Sequence, residues 1–236
     1  MNGQKVAIVT GANRGLGRAL AVGFAADGFH VAAMARSIDQ LHSIAKEAKV
    51  DSSAVLPIEL DLSNIQSIVS AVRAIPRDFG RIDVLVNNAG LGRVGTLGVS
   101  TEQFDSLLAV NLSGPFRLLK EVVPLMIEGN AGTILNVASR AGIIGFPNFG
   151  AYGASKFGMV GLSESLYREL APRGIKVTAL CPSWIDTDMA RESGTPLSSE
   201  EMIQTEDLMK TVRWLLSLSP AACVREVMIE CRADIS

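Results

Sequence analysis

The chain has 236 residues, 48% hydrophobic and 19% charged, enough to bury a large core and unlike the charge-rich make-up of disordered proteins. Lysine and arginine total 22 against 24 acids, a net charge of −2, so the basic excess typical of nucleic-acid-binding proteins is missing. Three cysteines (Cys181, Cys223, Cys231) are too few for a disulfide scaffold, two histidines (His30, His42) too few for a histidine-rich metal site, and no apolar run nears the roughly 20 residues that cross a bilayer. Residues 1–10 lack a signal-peptide layout. The expectation is a reduced, cytoplasmic protein with no metal and with neither membrane nor nucleic acid as partner.

Taken in order, short apolar runs alternate with longer segments of helical period. Runs at 6–10, 30–35, 55–60, 84–87, 133–138, 176–181 and 227–231 read as strands, and their near-continuous hydrophobicity suits strands covered on both faces. Between them, 14–27, 40–49, 65–79, 112–128, 154–171 and 208–216 read as helices. This alternation, with right-handed crossovers, predicts an α/β fold: a doubly wound, seven-stranded parallel sheet flanked by helices. Residues 1–236 are expected to form one domain, with the Ser-, Thr-, Gly-, Pro- and acid-rich stretch at 185–205 as a short flap. The flap's acids, Asp186, Asp188, Glu192, Glu200 and Glu201, outnumber its single Arg191, which predicts that strongly anionic substrates are disfavoured at the entrance.

The first run ends in Thr10-Gly11-Ala12-Asn13-Arg14-Gly15-Leu16-Gly17, directly ahead of a helix. Glycines there let the backbone turn sharply and approach a pyrophosphate, while the helix N-terminus offers unpaired N–H groups and positive potential. The spacing is G-x-x-x-G-x-G, not the general dinucleotide fingerprint G-x-G-x-x-G. Tyr152 and Lys156 stand one helical turn apart, so an ammonium beside the phenol is expected to lower its pKa from near 10. Asn87-Asn88-Ala89-Gly90 closes the fourth run as a polar strand end with a flexible glycine.

With these motifs in this order, the chain resembles the short-chain dehydrogenase/reductase family from residue 5 to about 187: T-G-x-x-x-G-x-G at 10–17, N-N-A-G at 87–90, Ser139, and Tyr152-x-x-x-Lys156. The resemblance implies a Rossmann fold, NADPH as cofactor and hydride transfer to a small-molecule carbonyl substrate, whether ketone, aldehyde or 3-oxoacyl group. It places Gly11, Asn13, Arg14, Gly15, Leu16 and Gly17 along the cofactor, and Asp61 and Leu62 at the adenine. Asn87, Ala89 and Gly90 would touch the cofactor mainly through backbone, and Pro182, Ile185 and Thr187 would sit at the nicotinamide. Tyr152 would give the proton, with Lys156 also holding the nicotinamide ribose. Ser139 would bond the substrate carbonyl, and Asn111 would anchor a water that leads protons to the lysine.

The choice of dinucleotide is read at Ala35-Arg36, where an NAD enzyme would place an acid against the ribose 2′-hydroxyl. Arg36 and Arg14 instead offer paired donors to a 2′-phosphate, the alternative being that both are solvated loop residues. Asp61 has an alternative as well: a helix N-terminal charge, with Ser63 capping the next helix. Phe146, Phe149, Trp184 and Met189 are candidates for the pocket wall or for core, and Cys181 for an inert buried thiol. Two features depart from the family pattern. Ser183 stands where a glycine is usual, and the C-terminal run 226–231 lacks the glycine-rich ending of fatty-acid-type reductases. A homo-oligomer, dimer or tetramer, is the expected assembly. Competing readings are an NAD-dependent alcohol dehydrogenase and a dinucleotide-sensing regulatory protein without turnover.

Overall fold

The apolar runs form seven strands: β1 (Val6–Thr10), β2 (His30–Ala35), β3 (Val55–Glu59), β4 (Ile82–Asn87), β5 (Gly132–Val137), β6 (Ile175–Pro182) and β7 (Glu226–Ile229). In the computed structural model, which describes residues 4–76, 79 and 81–235, they build one sheet in the order β3-β2-β1-β4-β5-β6-β7. Every pairing is parallel, so the expected doubly wound sheet is present. The chain winds outward from β1 to β3, then returns to lay β4 on the other side of β1. That reversal opens a crevice beyond the carboxyl ends of β1 and β4. Pro57 sits in β3, an edge strand, where a missing N–H does least harm to the ladder.

Helices cover both faces. α1 (Gly15–Ala26), α2 (Ile44–Ala48) and α8 (Thr205–Ser217) pack one side, with Leu20, Phe24, Ile44, Leu208 and Val212 fully buried against Val9, Val31 and Val86. α3 (Ile65–Arg73), α5 (Gly114–Glu128) and α6 (Gly150–Leu170) pack the other, where Ile68, Leu118, Val122 and Met126 meet Ile8, Leu85 and Ile134. Two short helices complete the set, α4 (Thr101–Leu108) and α7 (Asp188–Glu192).

Several helix boundaries depart from the sequence reading. The segment expected to be helical at 40–49 is a single 3₁₀ turn, Asp39–Leu41, and then the five-residue α2, closed by Lys49 at φ 58°. α3 stops at Arg73, and residues 77, 78 and 80 of that region lie outside the described residues. α4 was absent from the reading because its apolar stripe is thin: only Leu107 is buried, and a Ser100/Gln103 capping box starts the helix instead. The expected helix at 112–128 begins inside a π-helical turn, Ala109–Ser113, that joins α4 to α5. No helix among the described residues is long and apolar enough to cross a membrane.

Candidate active site

At the crevice, β1 runs out into Gly11 at φ 67° and Gly15 at φ 55°, backbone that an L-residue with a Cβ rarely adopts. A Cβ on Gly11 would lie 2.9 Å from the Ala89 Cα, and one on Gly17 would strike the Gly11 carbonyl oxygen and the Asn88 amide. The glycine turn is locked to the end of β4 by side chains. The Thr10 hydroxyl accepts from the Asn88 and Ala89 N–H groups, both at 3.0 Å, and the Asn88 amide donates to the Thr10 carbonyl at 2.9 Å. α1 opens from Arg14 with no side-chain cap, so its first N–H groups face the crevice without a side-chain partner.

A cleft of about 720 Å³ spans this region. Gly11, Asn13, Arg14, Gly15, Leu16, Gly17, Arg36, Asp61, Leu62, Ala89, Gly90, Ser139, Tyr152, Lys156, Pro182, Ile185 and Thr187 all line it. The four apolar candidates Phe146, Phe149, Trp184 and Met189 line it as well, with Phe149 and Trp184 edge to face at 5.9 Å. Asn87 and Asn111 do not. Asn87 is buried, and its amide donates to the Asn136 side-chain oxygen at 2.8 Å. Asn111, also buried, accepts from the Leu91 N–H at 2.8 Å and donates to the Leu91 carbonyl at 2.9 Å and to Ser155 Oγ at 3.0 Å. Ser155 in turn donates to the Tyr152 carbonyl at 2.7 Å. The asparagine thereby ties the β4 exit to α6.

Beyond the end of β3, Asp61 accepts from the Ser63 N–H at 2.9 Å and the Ser63 hydroxyl at 2.7 Å. Those two bonds hold its carboxyl below the usual range, with a smaller contribution from the Arg36 guanidinium. Ser63 is therefore not the helix cap that the sequence suggested. Asn64 caps α3, accepting from the Gln66 and Ser67 N–H groups at 2.9 and 3.2 Å. Arg14 reaches across to the flap, with Glu192 at 3.4 Å and Asp188 at 3.8 Å.

At the other end, Ser139 follows β5 and accepts from the Ala141 N–H at 3.1 Å, while Tyr152 and Lys156 project from α6. The expected pull of the lysine on the tyrosine is not what governs the phenol here. Tyr152 is half-buried and its pKa is raised by that burial, the Ser139 hydroxyl pulling weakly the other way. The Lys156 amine lies 5.7 Å from the Tyr152 ring centroid and donates to the Val137 carbonyl at 2.8 Å. Burial brings its pKa from 10.5 down to about 8. Cys181, fully buried on β6, has its thiol pushed up to about 12 by burial and then by Glu226, consistent with an inert thiol.

The segment after β6 is held down at several points. Ile185 bridges Ile203 in parallel, and the Asp186 N–H donates to the Ile203 carbonyl at 2.9 Å. Thr187 precedes α7, its hydroxyl donating to the Ile185 carbonyl at 3.2 Å. The acidity expected at the entrance is partly compensated: Arg191 sits 2.6 Å from Asp186, and Arg14 lies 3.4 and 3.8 Å from Glu192 and Asp188, while Glu200 and Glu201 have no cation beside them among the described residues. The sequence reading missed Arg140 and Asp234, which also line the cleft. Arg140 carried a signal in being adjacent to Ser139. Asp234, ninety-odd positions away, carried none.

A family profile described as short chain dehydrogenase matches residues 5–197. The 3-oxoacyl-[acyl-carrier-protein] reductase FabG of Thermotoga maritima is 40% identical over 189 residues, 80% of this chain and 77% of that protein. Two solved structures superpose over nearly all of both chains. An alcohol dehydrogenase of the archaeon Thermococcus sibiricus complexed with 5-hydroxy-NADP has a TM-score of 0.88 and 30% identity, covering 99% of each chain. The 3-ketoacyl-(acyl-carrier-protein) reductase of Brucella melitensis complexed with NADH has a TM-score of 0.89 and 29% identity, covering 98% of each. On the glycine turn, the Ser139–Tyr152–Lys156 grouping and these likenesses together, the chain belongs to the short-chain dehydrogenase family.

Proposed function

We propose that the protein is an NADPH-dependent reductase of carbonyl compounds. The observation that carries this reading is one cleft with Ser139, Tyr152 and Lys156 at one end and a glycine turn flanked by Arg14 and Arg36 at the other. The fit to a dinucleotide is geometric and electrostatic: the glycine turn, packed against the end of β4, presents the uncapped N-terminus of α1 to the cleft, and two guanidiniums supply donors suited to a 2′-phosphate. Gly11, Asn13, Gly15, Leu16 and Gly17 would hold the cofactor with Asp61, Leu62, Ala89, Gly90, Pro182, Ile185 and Thr187, while Asn87, outside the cleft, would act only by fixing the end of β4 through Asn136. Bound NADPH supplies hydride.

Tyr152, an ordinary phenol in holding its proton at neutral pH and one whose burial raises its pKa further, is in the state needed to give that proton to a carbonyl oxygen. Ser139 donates to the same oxygen as charge develops there. Lys156 holds a positive charge at the floor of the site below about pH 8 and is assigned to the nicotinamide ribose. Asn111, pinned to Leu91 and Ser155, is assigned to a water that refills the lysine's proton. Phe116 and Phe157, on α5 and α6, are 48% and 46% exposed, which supports a homo-oligomer.

The test is NADPH oxidation across ketones, aldehydes and 3-oxoacyl thioesters. Tyr152→Phe should lower kcat by about 10²–10⁴-fold while NADPH binding persists. If that variant keeps most of its activity, the assignment is wrong. One observation favours the NAD-dependent alternative: Arg14 is already engaged by Glu192 and Asp188. Titration with NADPH and NADH under the same conditions separates the two.

A further inference from the structure

The two departures from the family pattern meet in space. Ser183, in place of glycine, accepts from the Cys231 N–H at 2.8 Å, and its own N–H donates to the Ile229 carbonyl at 2.8 Å. The Cys231 thiol donates to the Trp184 carbonyl at 3.1 Å. Fastened there, the chain turns through a 3₁₀ segment, Arg232–Asp234, and carries Asp234 back to the cleft. Arg140, the residue after Ser139, is waiting for it: Nη2 lies 2.6 Å from Asp234 Oδ2, and Nη1 donates to Glu230 Oε1 at 3.0 Å and to the Asp234 carbonyl at 3.1 Å. The guanidinium also lies 4.6 Å from the centre of the Phe146 ring, another wall of the cleft. Only 12% of the Arg140 side chain is exposed, so these contacts are little diluted by solvent.

We infer that this C-terminal turn is a charge filter for substrate, built by Arg140, Glu230 and Asp234 beside Ser139. One guanidinium faces two carboxylates, so the cation beside Ser139 is already engaged and does not serve a substrate carboxylate or phosphate. The second carboxylate leaves the turn itself one charge negative, which disfavours such a group beside it. The substrates it admits are uncharged around the carbonyl. The inference rests on the proposed carbonyl-reductase reading, but it can be tested without turnover.

The probes are 4-oxopentanoate and its methyl ester, which differ mainly in one charge. Their binding to protein saturated with NADP+, which has no hydride to give, is followed by Trp184 fluorescence in a Trp214→Phe background. Glu230→Gln with Asp234→Asn should tighten the carboxylate by about tenfold or more relative to the ester, and adding Arg140→Met should erase that gain. The inference is overturned if the ratio of the two affinities stays put, or if the gain survives loss of Arg140. Should the double variant not fold, Asp234→Asn alone, at an ion pair near the chain end, should still shift the ratio by about threefold. No shift there overturns the inference equally. Reduction of the ester is recorded in parallel, so that an absence of turnover counts against the carbonyl-reductase reading while the affinity ratio judges the filter.

Discussion

Lys156 should be a stability defect kept for function, and Lys156→Met exposes it. Lys156 is 5% exposed, with the Val137 carbonyl 2.8 Å from its amine as acceptor. Burial lowers its pKa from 10.5 to about 8, so at about pH 7 the charged form costs about 3 kcal/mol relative to the unfolded chain. Methionine has similar bulk and no charge, but it leaves the Val137 carbonyl without that donor, which costs about 1–3 kcal/mol. The expected net at about pH 7 is a variant as stable as the parent or up to about 2 kcal/mol more stable, with carbonyl reduction nearly gone. The pH dependence is the sharper signature. Between the folded value of about 8 and the unfolded 10.5, the unfolded state binds more protons than the native state. Parent stability therefore rises with pH there, relative to the variant, by up to about 1.4 kcal/mol per pH unit. The Cys181 thiol, pushed up to about 12, acts in the opposite direction above pH 9, but it is present in both proteins and largely cancels in the difference. Urea denaturation at intervals from about pH 7 to 9.5 measures that difference. A stability difference that stays constant over this range, or a variant markedly less stable at about pH 7, would refute the account.

Native protein should bind NADPH at least about tenfold more tightly than NADH, roughly 1.4 kcal/mol, and Ala35→Asp with Arg36→Gln should reverse the order; native preference for NADH removes the phosphate assignment. Gly17→Ala should cost about 1–3 kcal/mol of stability, because the added methyl meets the Gly11 carbonyl and the Asn88 amide. An unchanged Tm would show that the turn relaxes freely. Asn64→Ala should cost about 1 kcal/mol through loss of the α3 cap, and Asn64→Ser should recover most of it. Ser63→Ala, by contrast, should leave α3 intact and relax the Asp61 carboxyl toward its ordinary range, a shift visible by NMR titration.

The sequence by itself determined the architecture and most of the cleft. Seven apolar runs, the central ones buried on both faces and all spaced by helical segments, admit little besides a wound parallel sheet. The strand carboxyl ends then deliver Gly11, Gly90, Ser139 and Pro182 to a common edge. Local covalent spacing also sufficed for Tyr152 and Lys156, since four residues on a helix share a face whatever surrounds them. Tertiary structure alone decided what depends on groups distant in the chain. The Tyr152 acidity is governed by the protein packed around it and by Ser139, and the Lys156 amine is held at Val137, neither of which helical spacing reports. Arg14 meets Glu192 across 178 positions, so the entrance charge counted along the flap is not the charge found there. Arg140 finds Glu230 and Asp234 only because β6 and β7 pair in parallel and Ser183 anchors Cys231 at their exit. Hydrophobic period encodes which faces are buried, but a charge takes its energy from the field of its neighbours, and those neighbours are chosen by the fold.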